Sequence, residues 1–257
     1  MVYAFRALVV AVLCLGSAAV ARAQTVLESS AESRFQLDFH VPDAALMALL
    51  PPGFTLNVAT QGPAKDANIR VIFVDRMTIN GADGKPVGKG SSRMVYLASP
   101  VKDSTGANAQ VVIAGLTDDP ADAPGPFGVY LPATTHRMHR STTSNGTGPV
   151  IDAQDWVFQA ASGEHLELHI EYEHGVGNKG NAADVKFYSA RSPGMAQISR
   201  QEQVLDILRN ATTTPPDHVK KYSFKASGGS LAKLFDGTER TLSWDNIVWL
   251  NRSVLRP

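Results

Sequence analysis

The segment GEHLELHIEYEHG, from Gly163 to Gly175, contains three of the chain's seven histidines and four glutamates. Its apolar residues stand two apart, at Leu166, Leu168 and Ile170, and polar residues fill the positions between them. Residues two apart share one face of a β-strand, whereas residues on one face of a helix stand three or four apart. The segment therefore predicts a strand with one apolar and one polar face.

Similar alternation recurs along the chain about every 10 to 20 residues, interrupted by loops rich in Gly, Pro and Asp, which is typical of a mainly β domain. The predicted strands are 34–40, 68–77, 91–100, 109–117, 134–141, 155–160, 164–174, 185–190, 219–225 and 240–250. Start and stop signals also predict a few short helices. These lie in PDAALMALLPPG (42–53), QEQVLDILRNA (201–211) and GGSLAKLFDG (228–237).

The first 23 residues have the composition of a cleavable secretory signal peptide. Arg6 precedes a short apolar run, and small residues lead to the sequence Ala21-Arg22-Ala23. The run is shorter than the roughly 20 residues that a transmembrane helix needs. We therefore expect a mature protein that begins at Gln24, is periplasmic or secreted, and has no membrane partner after cleavage. No repeat or linker divides 24–257, which predicts a single domain.

Composition and missing motifs exclude several classes of function. The chain has 24 basic and 24 acidic residues, without a basic run, so we expect no nucleic-acid partner. Its one cysteine, Cys14, lies in the predicted signal, which leaves the mature chain without a disulfide or a cysteine nucleophile. No G-x-S-x-G, H-E-x-x-H or glycine-rich phosphate loop is present. We therefore expect no cofactor.

A series of segments resembles the acetoacetate decarboxylase-like superfamily in order and spacing over most of the mature chain. The segments are LLPPGF (49–54), ANIRVIFVDRM (67–77), SSRMVYLASPV (91–101), ANAQVVIAGLTDDPADA (107–123), LELHIEYEHG (166–175), DVKFYSARSP (184–193) and LAKLFDGTER (231–240). The resemblance implies a closed, cone-like antiparallel β-barrel with a few short helices and an active site in its interior. It also implies a small-molecule ligand or substrate.

The sequence departs from the family pattern where the family carries its Schiff-base lysine. The corresponding segment, DDPADAPGPFGVYLPATTHRMHR (118–140), has no lysine and ends in a cluster of histidines and arginines. Arg93 and Met94 occupy the region where the family typically has a glutamate. Fold can persist while chemistry changes. The resemblance therefore does not carry Schiff-base decarboxylation over to this chain.

The HRMHR segment supplies the predicted catalytic residues His136, Arg137 and His139. An imidazole beside a guanidinium suits proton transfer near neutral pH and the binding of an oxyanion. We expect His136 or His139 to transfer the proton and Arg137 to hold the oxyanion. The alternative is an ordinary solvent-exposed polar strand.

Five further residues are predicted to bind the substrate: Arg93, Tyr96, Tyr130, Glu167 and His169. The glutamate and histidine come from the polar face of the opening segment, which is otherwise expected to face solvent. Histidines four residues apart on a strand lie roughly 13 Å apart, too far to bind one metal ion. We therefore predict no metal site from this strand alone.

These observations predict an exported, cofactor-independent enzyme that acts on a small keto, carboxylic or aromatic compound by His and Arg acid–base chemistry, in the manner of a lyase. Two alternatives stay open. One is a periplasmic protein that binds a small molecule without reaction. The other is a metal-dependent enzyme that combines the His and Glu strand with His40 or His218.

Overall fold

The computed structural model describes residues 24–120, 127–209 and 218–256. The predicted signal peptide, part of the loop DDPADAPGPFG and the end of QEQVLDILRNA lie outside these ranges. The strands are β1 (Thr25–His40), β2 (Thr55–Leu56), β3 (Ile69–Gly81), β4 (Ser92–Lys102), β5 (Asn108–Thr117), β6 (Tyr130–Ser144), β7 (Val150–Ala160), β8 (His165–Glu173), β9 (Asn178–Lys179), β10 (Ala183–Ser189), β11 (Ala196–Arg209), β12 (Val219–Ser227) and β13 (Arg240–Arg256). The helices are α1 (Asp43–Met47) and α2 (Leu231–Leu234). The predicted mainly β fold with a few short helices is confirmed.

Seven strands pair in a ring. The pairing runs from β1 to β3, β4 and β5, continues through β10, β11 and β13, and returns to β1. The expectation that all neighbours are antiparallel is wrong at two places, because β5 pairs in parallel with β10 and with β6. A long loop joins β5 to β6, and four strands lie between β5 and β10 in the chain, so neither parallel pair has to be joined by a tight hairpin.

A second layer of strands packs on the outer side of the ring. It continues from β5 through β6, β7 and β8 to β12. The apolar faces of β7 and β8 are buried against the apolar face of β1, with Trp156, Leu168 and Ile170 meeting the cluster that contains Phe35 and Leu37. The alternation that predicted β8 thus marks the face that forms the main hydrophobic core.

The prediction of a helix in QEQVLDILRNA is wrong, because the described residues of this segment form the second half of β11. This segment pairs with β13 along its length, and its start also pairs with β10 and β9. Gln203, Leu205 and Ile207 face the interior of the ring, while Leu208 joins the main core. Hydrogen bonding to strands on both sides outweighs the local helix propensity.

The two helices are short and support one end of the core. Leu46 of α1 and Leu231 and Leu234 of α2 are buried in the main hydrophobic cluster. Both segments were predicted to be helical, although each helix is shorter than its sequence signal. No described helix has the length and apolar character that crossing a membrane requires.

Candidate functional site

One wall of the ring interior is polar because β1 presents alternating side chains to its two sides. Phe35 and Leu37 face the main core. Arg34 and Gln36, which alternate with them along the strand, therefore point to the opposite side, into the ring. The same face of β1 carries a run of charged and polar residues from Glu28 to Asp38. The ring therefore encloses both this polar face and a second hydrophobic cluster, which includes Val74, Met94 and Phe187, and both line cavities.

Three adjoining cavities occupy the ring, here called the first chamber, the neck and the second chamber. Their volumes are about 210, 30 and 270 Å³. Tyr130 and Arg252 line both the first chamber and the neck, while Arg34 and Tyr96 line both the neck and the second chamber. The three cavities thus adjoin one another along the charged face of β1.

Three guanidinium groups, those of Arg34, Arg76 and Arg252, form the arginine cluster. Arg34 and Arg252 line the neck, while Arg76 and Arg252 line the first chamber. Their shared centre is the carboxylate of Glu32, which is fully buried. Arg34 Nε and Nη2 both lie 2.6 Å from Glu32 Oε2, and Arg252 Nε donates to Oε1 at 2.8 Å. Arg76 contacts the same carboxylate at 3.8 Å. Paired carboxylates make it possible to bury these cations.

Glu28 is the second carboxylate of the arginine cluster. Its Oε1 accepts a hydrogen bond from Arg252 Nη2 at 2.8 Å and another from Arg76. The cluster thus has three guanidinium groups and two carboxylates, divided between the neck and the first chamber, with Arg252 lining both. A further anionic group placed in the neck would meet a positive potential there.

The electrostatics of the cluster keep Glu32 ionised. Burial opposes the charged form, but the positive charges of Arg252, Arg34 and Arg76 outweigh it and hold the pKa of Glu32 well below its usual range. Burial also raises the pKa of Tyr130 far above its usual value, with a smaller contribution from the neighbouring Tyr96. The tyrosine hydroxyl therefore stays protonated and can donate a hydrogen bond.

Two predicted substrate-binding residues, Tyr96 and Tyr130, lie together in this cavity. Their ring centroids are 6.4 Å apart, and both side chains are buried. Arg34 Nη1 donates a hydrogen bond to Tyr96 Oη at 3.2 Å. Two phenol groups and a guanidinium thus converge on the neck, an arrangement suited to binding a carboxylate or carbonyl oxygen.

The predicted catalytic residues lie elsewhere, on exposed parts of β6. His136 Nε2 lies 3.6 Å from Asp118 Oδ2, with its side chain 44% exposed, and His139 is 66% exposed. Arg137 is also exposed. None of the three lines a described chamber. Their catalytic role stays a prediction, at a surface position and outside the ring.

The other predicted binding residues also lie outside the ring. Arg93 forms an ion pair with Asp75, its Nε lying 3.0 Å from Oδ1. Glu167 and His169 stand on the outer face of β8, opposite its buried leucines. His169 Nδ1 lies 2.6 Å from Asp155 Oδ1.

The structure brings two separately predicted histidines together on this outer face. His139 Nδ1 lies 3.8 Å from Asp155 Oδ2, so His139 and His169 flank the same carboxylate across three strands. Sequence spacing alone could not pair them, since they come from β6 and β8. Within the described ranges, no group of three or more His, Cys, Asp or Glu side chains could hold a metal ion.

No lysine lines the three chambers in the described part of the chain. Lys186, on the ring strand β10, is 40% exposed and lies 3.7 Å from Asp103. A hydrogen bond with Tyr188 and the charge of Asp103 raise its pKa, so this amine is held protonated. A nucleophilic amine needs the neutral form. Lys186 is therefore poorly placed and poorly poised to form a Schiff base.

The main site residues that sequence reasoning missed are Glu32, Arg34, Arg76 and Arg252. A signal for two of them was present, because the polar residues of ESRFQLDFH (32–40) alternate with Phe35, Leu37 and Phe39. A charged face on a strand normally indicates exposure to solvent. Only closure of the ring turns that face inward.

Comparison with solved structures gives matches along almost the whole chain. The structure is similar to that of the enduracididine biosynthesis enzyme MppR, solved with the condensation product of pyruvate and imidazole 4-carboxaldehyde. The TM-score is 0.54 at 12% sequence identity, and the match covers 95% of this chain and 91% of that chain. An acetoacetate decarboxylase-like enzyme from Sphingomonas wittichii RW1 has the same TM-score at 10% identity and covers 90% and 91% of the two chains. No protein-family model and no curated protein matches the sequence.

Proposed function

We propose that this chain, which has the acetoacetate decarboxylase-like fold, is an exported enzyme that binds a small keto or carboxylic acid inside its strand ring. The observation that carries the proposal is the buried arginine cluster in the wall of a cavity. Both matched structures are described as enzymes, and one of them holds a product made from pyruvate, which is a keto acid.

The geometry of Arg34 supports binding of a carboxylate. Within the described residues, its contacts with Glu32 and Tyr96 use three of the five N–H donors that a guanidinium carries. The donors that remain belong to a side chain that lines the neck and the second chamber. A ligand carboxylate at this point would accept charge-assisted hydrogen bonds from Arg34 and a hydrogen bond from Tyr130.

The reaction we propose proceeds without a lysine adduct. The chambers contain arginine, tyrosine and carboxyl groups, which can stabilise an enolate and transfer protons. Such groups serve lyase-type chemistry in which a bond next to a carbonyl is made or broken. That His136 or His139 transfers the proton and Arg137 holds the oxyanion stays a prediction, to be tested against the chamber residues.

Ligand binding is tested by thermal unfolding and calorimetric titration with pyruvate, acetoacetate and 4-oxopentanoate. A ligand at 100 times its Kd stabilises the folded state by about 2.7 kcal/mol. We expect this stabilisation in the unchanged protein and in Arg200→Met, an exposed arginine paired with Asp184. Arg34→Met should weaken binding at least about 30-fold, because truncating one partner of a buried charge pair costs about 2 to 5 kcal/mol.

Tyr96→Phe provides a milder second variant that removes only one hydroxyl. If Arg34→Met does not fold, this variant keeps the proposal testable, and we expect it to weaken binding by a smaller factor. Ligands that bind equally well to the unchanged protein and to both chamber variants would contradict the proposal.

A binding protein without catalysis is the second candidate, favoured by the lack of a lysine in the described chambers. Mass spectrometry of each stabilising ligand after incubation separates the two functions. New products whose formation depends on Arg34 support the enzyme, while ligands recovered unchanged under all conditions support a carrier.

Export is a separate part of the proposal and rests on the sequence of residues 1–23. Expression of the full chain in a Gram-negative host, followed by fractionation and N-terminal sequencing, tests it. We expect the periplasmic fraction to contain a protein that begins at Gln24. Recovery of the uncleaved chain from the cytosol alone would contradict export.

A further inference from the structure

The second chamber contains two carboxyl groups that the proposed carboxylate binding does not use. Asp38 comes from β1 and Asp245 from β13, and both line this chamber of about 270 Å³. Asp38 is fully buried and Asp245 is 6% exposed. The two residues, here called the carboxyl pair, lie diagonally opposite each other, since Asp38 pairs with Ser243 and Gln36 pairs with Asp245.

Hydrogen bonds hold the carboxyl pair together. Gln36 Nε2 donates to Asp38 Oδ2 at 3.1 Å and lies 3.5 Å from Asp245 Oδ2, so one amide bridges both groups. Ser243 Oγ donates to Asp245 Oδ1 at 2.7 Å. Arg70 Nε lies 3.1 Å from Asp38 Oδ1. The pair is therefore fixed by side chains from three strands.

The charges around the pair balance when it holds one proton. Arg70 of β3 is the nearest cation, and Arg34 lies farther along the same chamber, bound to Glu32. The other polar side chains of the lining are neutral: Gln36, Gln110, Asn181, Gln201 and Gln203, together with the hydroxyl of Tyr96. Two buried carboxylates beside one guanidinium would leave an uncompensated charge, which is costly. One shared proton removes it.

The electrostatics favour the same state. Burial raises the pKa of Asp38, against the opposing charge of Arg70. Burial and the neighbouring Asp38 raise the pKa of Asp245 to about 7. Two neighbouring carboxyl groups cannot both ionise easily, so the second proton is released at a much higher pH than the first.

We propose that Asp38 and Asp245 share one proton and act as the acid–base group of the second chamber, facing a ligand whose carboxylate is held by Arg34. The role toward a ligand rests on the proposed function, whereas the sharing of a proton does not. A carboxyl pair that holds one proton contains both an acceptor and a donor, as acid–base catalysis requires.

Strand geometry indicates the length of the ligand. Arg34 and Asp38 stand four residues apart on one face of β1, so their Cα atoms are separated by roughly 13 Å. An arginine side chain spans only part of this distance. A ligand whose carboxylate is bound by Arg34 would therefore present to the carboxyl pair a carbonyl group that lies several carbons away from that carboxylate. Gln110 Oε1, in the same chamber, accepts no hydrogen bond from the described residues and could receive one from a ligand hydroxyl.

Enolisation of such a keto acid is balanced with the groups present. The ionised member of the pair takes a proton from the carbon next to the ketone, and the C–H bond breaks. Its electron pair forms the C=C bond of an enolate, with the negative charge on the former carbonyl oxygen. The protonated member can donate to that oxygen, and return of a proton to carbon restores the ketone without any oxidant.

The shared proton is tested on the protein without ligand, by NMR titration of aspartate side-chain carbons. We expect one carboxyl of the unchanged protein to titrate near neutral pH. In Asp38→Asn or Asp245→Asn the remaining carboxyl should titrate at lower pH, because its partner charge is gone. Asp184→Asn, at an exposed ion pair, is the matched control and should leave the neutral titration intact. Two carboxyls that both titrate in the ordinary acidic range would overturn the proposal.

The acid–base role is tested by deuterium exchange into 4-oxopentanoate in D₂O, followed by proton NMR, with pyruvate as the short comparison. We expect faster exchange with 4-oxopentanoate, and a loss of about 100-fold or more in either asparagine variant at saturating ligand, the usual size of such an effect. Asp184→Asn should exchange at the unchanged rate. Exchange that survives both asparagine variants, or bound ligand that never exchanges, would overturn the acid–base role.

The two proposals fail in different ways. If calorimetry detects no binding of either keto acid, the proposed function fails, and the ligand-free titration alone decides whether the pair shares a proton. If ligands bind through Arg34 but the pair titrates like ordinary aspartates, the proposed function stands and this inference is wrong. Folding of each variant is checked by circular dichroism and thermal unfolding before any comparison.

Discussion

Gly115 of β5 lies directly against the ring of Tyr130, so that a β-carbon at position 115 would come within 2.6 Å of Tyr130 Cδ1 and 2.8 Å of the Val95 carbonyl oxygen. The two residues are partners in the parallel pairing of β5 with β6. Because Gly115 has no side chain, the phenol ring of Tyr130 can pack against β5 at the position where it lines the neck.

Gly115→Ala should destabilise the fold and displace Tyr130. Forcing one carbon into such a contact costs about 1 to 3 kcal/mol, since a backbone oxygen cannot move aside as a flexible side chain does. Gly194→Ala is the control, because a β-carbon there meets nothing within 4 Å. Urea unfolding checks both variants, and equal stabilities would contradict the close approach.

The Glu32→Gln variant should be much less stable than the unchanged protein at neutral pH. Removing one partner of a buried ion pair costs about 3 to 5 kcal/mol, since it leaves the arginines facing each other. Glu202→Gln, an exposed glutamate of β11, should have little effect. Chemical unfolding at pH 7 compares the two, and similar free energies would contradict the central role of Glu32.

Glu32 also predicts how the protein responds to acid. Because the folded state lowers the pKa of this carboxyl, its stabilising effect is complete above the unfolded value of about 4.5 and is lost as the pH falls below it. The unchanged protein should therefore lose more stability between pH 5 and pH 3 than Glu32→Gln, roughly 1.4 kcal/mol per pH unit at most from one proton. Unfolding curves across that range test the difference.

Asp245 predicts a pH dependence of the opposite sign. Its pKa is raised in the folded state, so the folded protein holds a proton that the unfolded chain releases above about pH 4. Its contribution to stability therefore declines as the pH rises from about 4 to 7. Asp245→Asn should remove this decline, and identical slopes for the two proteins over that window would count against it.

The surface histidines test the prediction made from sequence against the chambers. If catalysis belongs to the chambers, His136→Ala, Arg137→Ala and His139→Ala should each change stability by less than about 0.5 kcal/mol and leave keto-acid binding intact. Turnover assays on any substrate found by mass spectrometry provide the measurement. Loss of turnover with binding preserved would return the catalytic role to β6.

No lysine lines the chambers in the part of the chain that the structure describes, which predicts that no Schiff base forms. Incubation with pyruvate or acetoacetate and borohydride should leave the protein mass unchanged. Lys186→Met is a useful comparison, because Lys186 lies on a strand of the ring. A reduced adduct that disappears in Lys186→Met would contradict the mechanism without lysine.

Sequence alone predicted the strands well, because burial of one face leaves a period of two that can be read in a single chain. The alternation in HLELHIEY gave β8 almost residue for residue. The same reasoning failed for β11, where the sequence QEQVLDIL favours a helix locally. Pairing with β13 along the segment decides its conformation, and β13 follows later in the chain.

The site was harder to predict because β1 and β8 have the same kind of pattern but opposite outcomes. The polar face of β8, with Glu167 and His169, points to solvent, while the polar face of β1, with Glu32 and Arg34, points into the ring. Alternation separates two faces of a strand but does not say which one is enclosed. Enclosure depends on the ring of seven strands, a property of the whole chain. Tyr96 and Tyr130, which were predicted as phenolic hydrogen-bonding groups, do line the neck, while their role in binding stays a prediction.

The pairing of β1 with β13 has a consequence for how the protein is made. Thr25 pairs with Arg256, and the pairing continues to His40 with Arg240. β1 therefore lacks one of its two neighbouring strands until β13 has been synthesised. Contacts so distant in sequence are entropically expensive to form early and slow the search for the native state. A chain that lacked the 17 residues of β13 would leave the ring open, with its charged interior exposed to water. Enclosure of the arginines and carboxylates therefore depends on the strand that is made last.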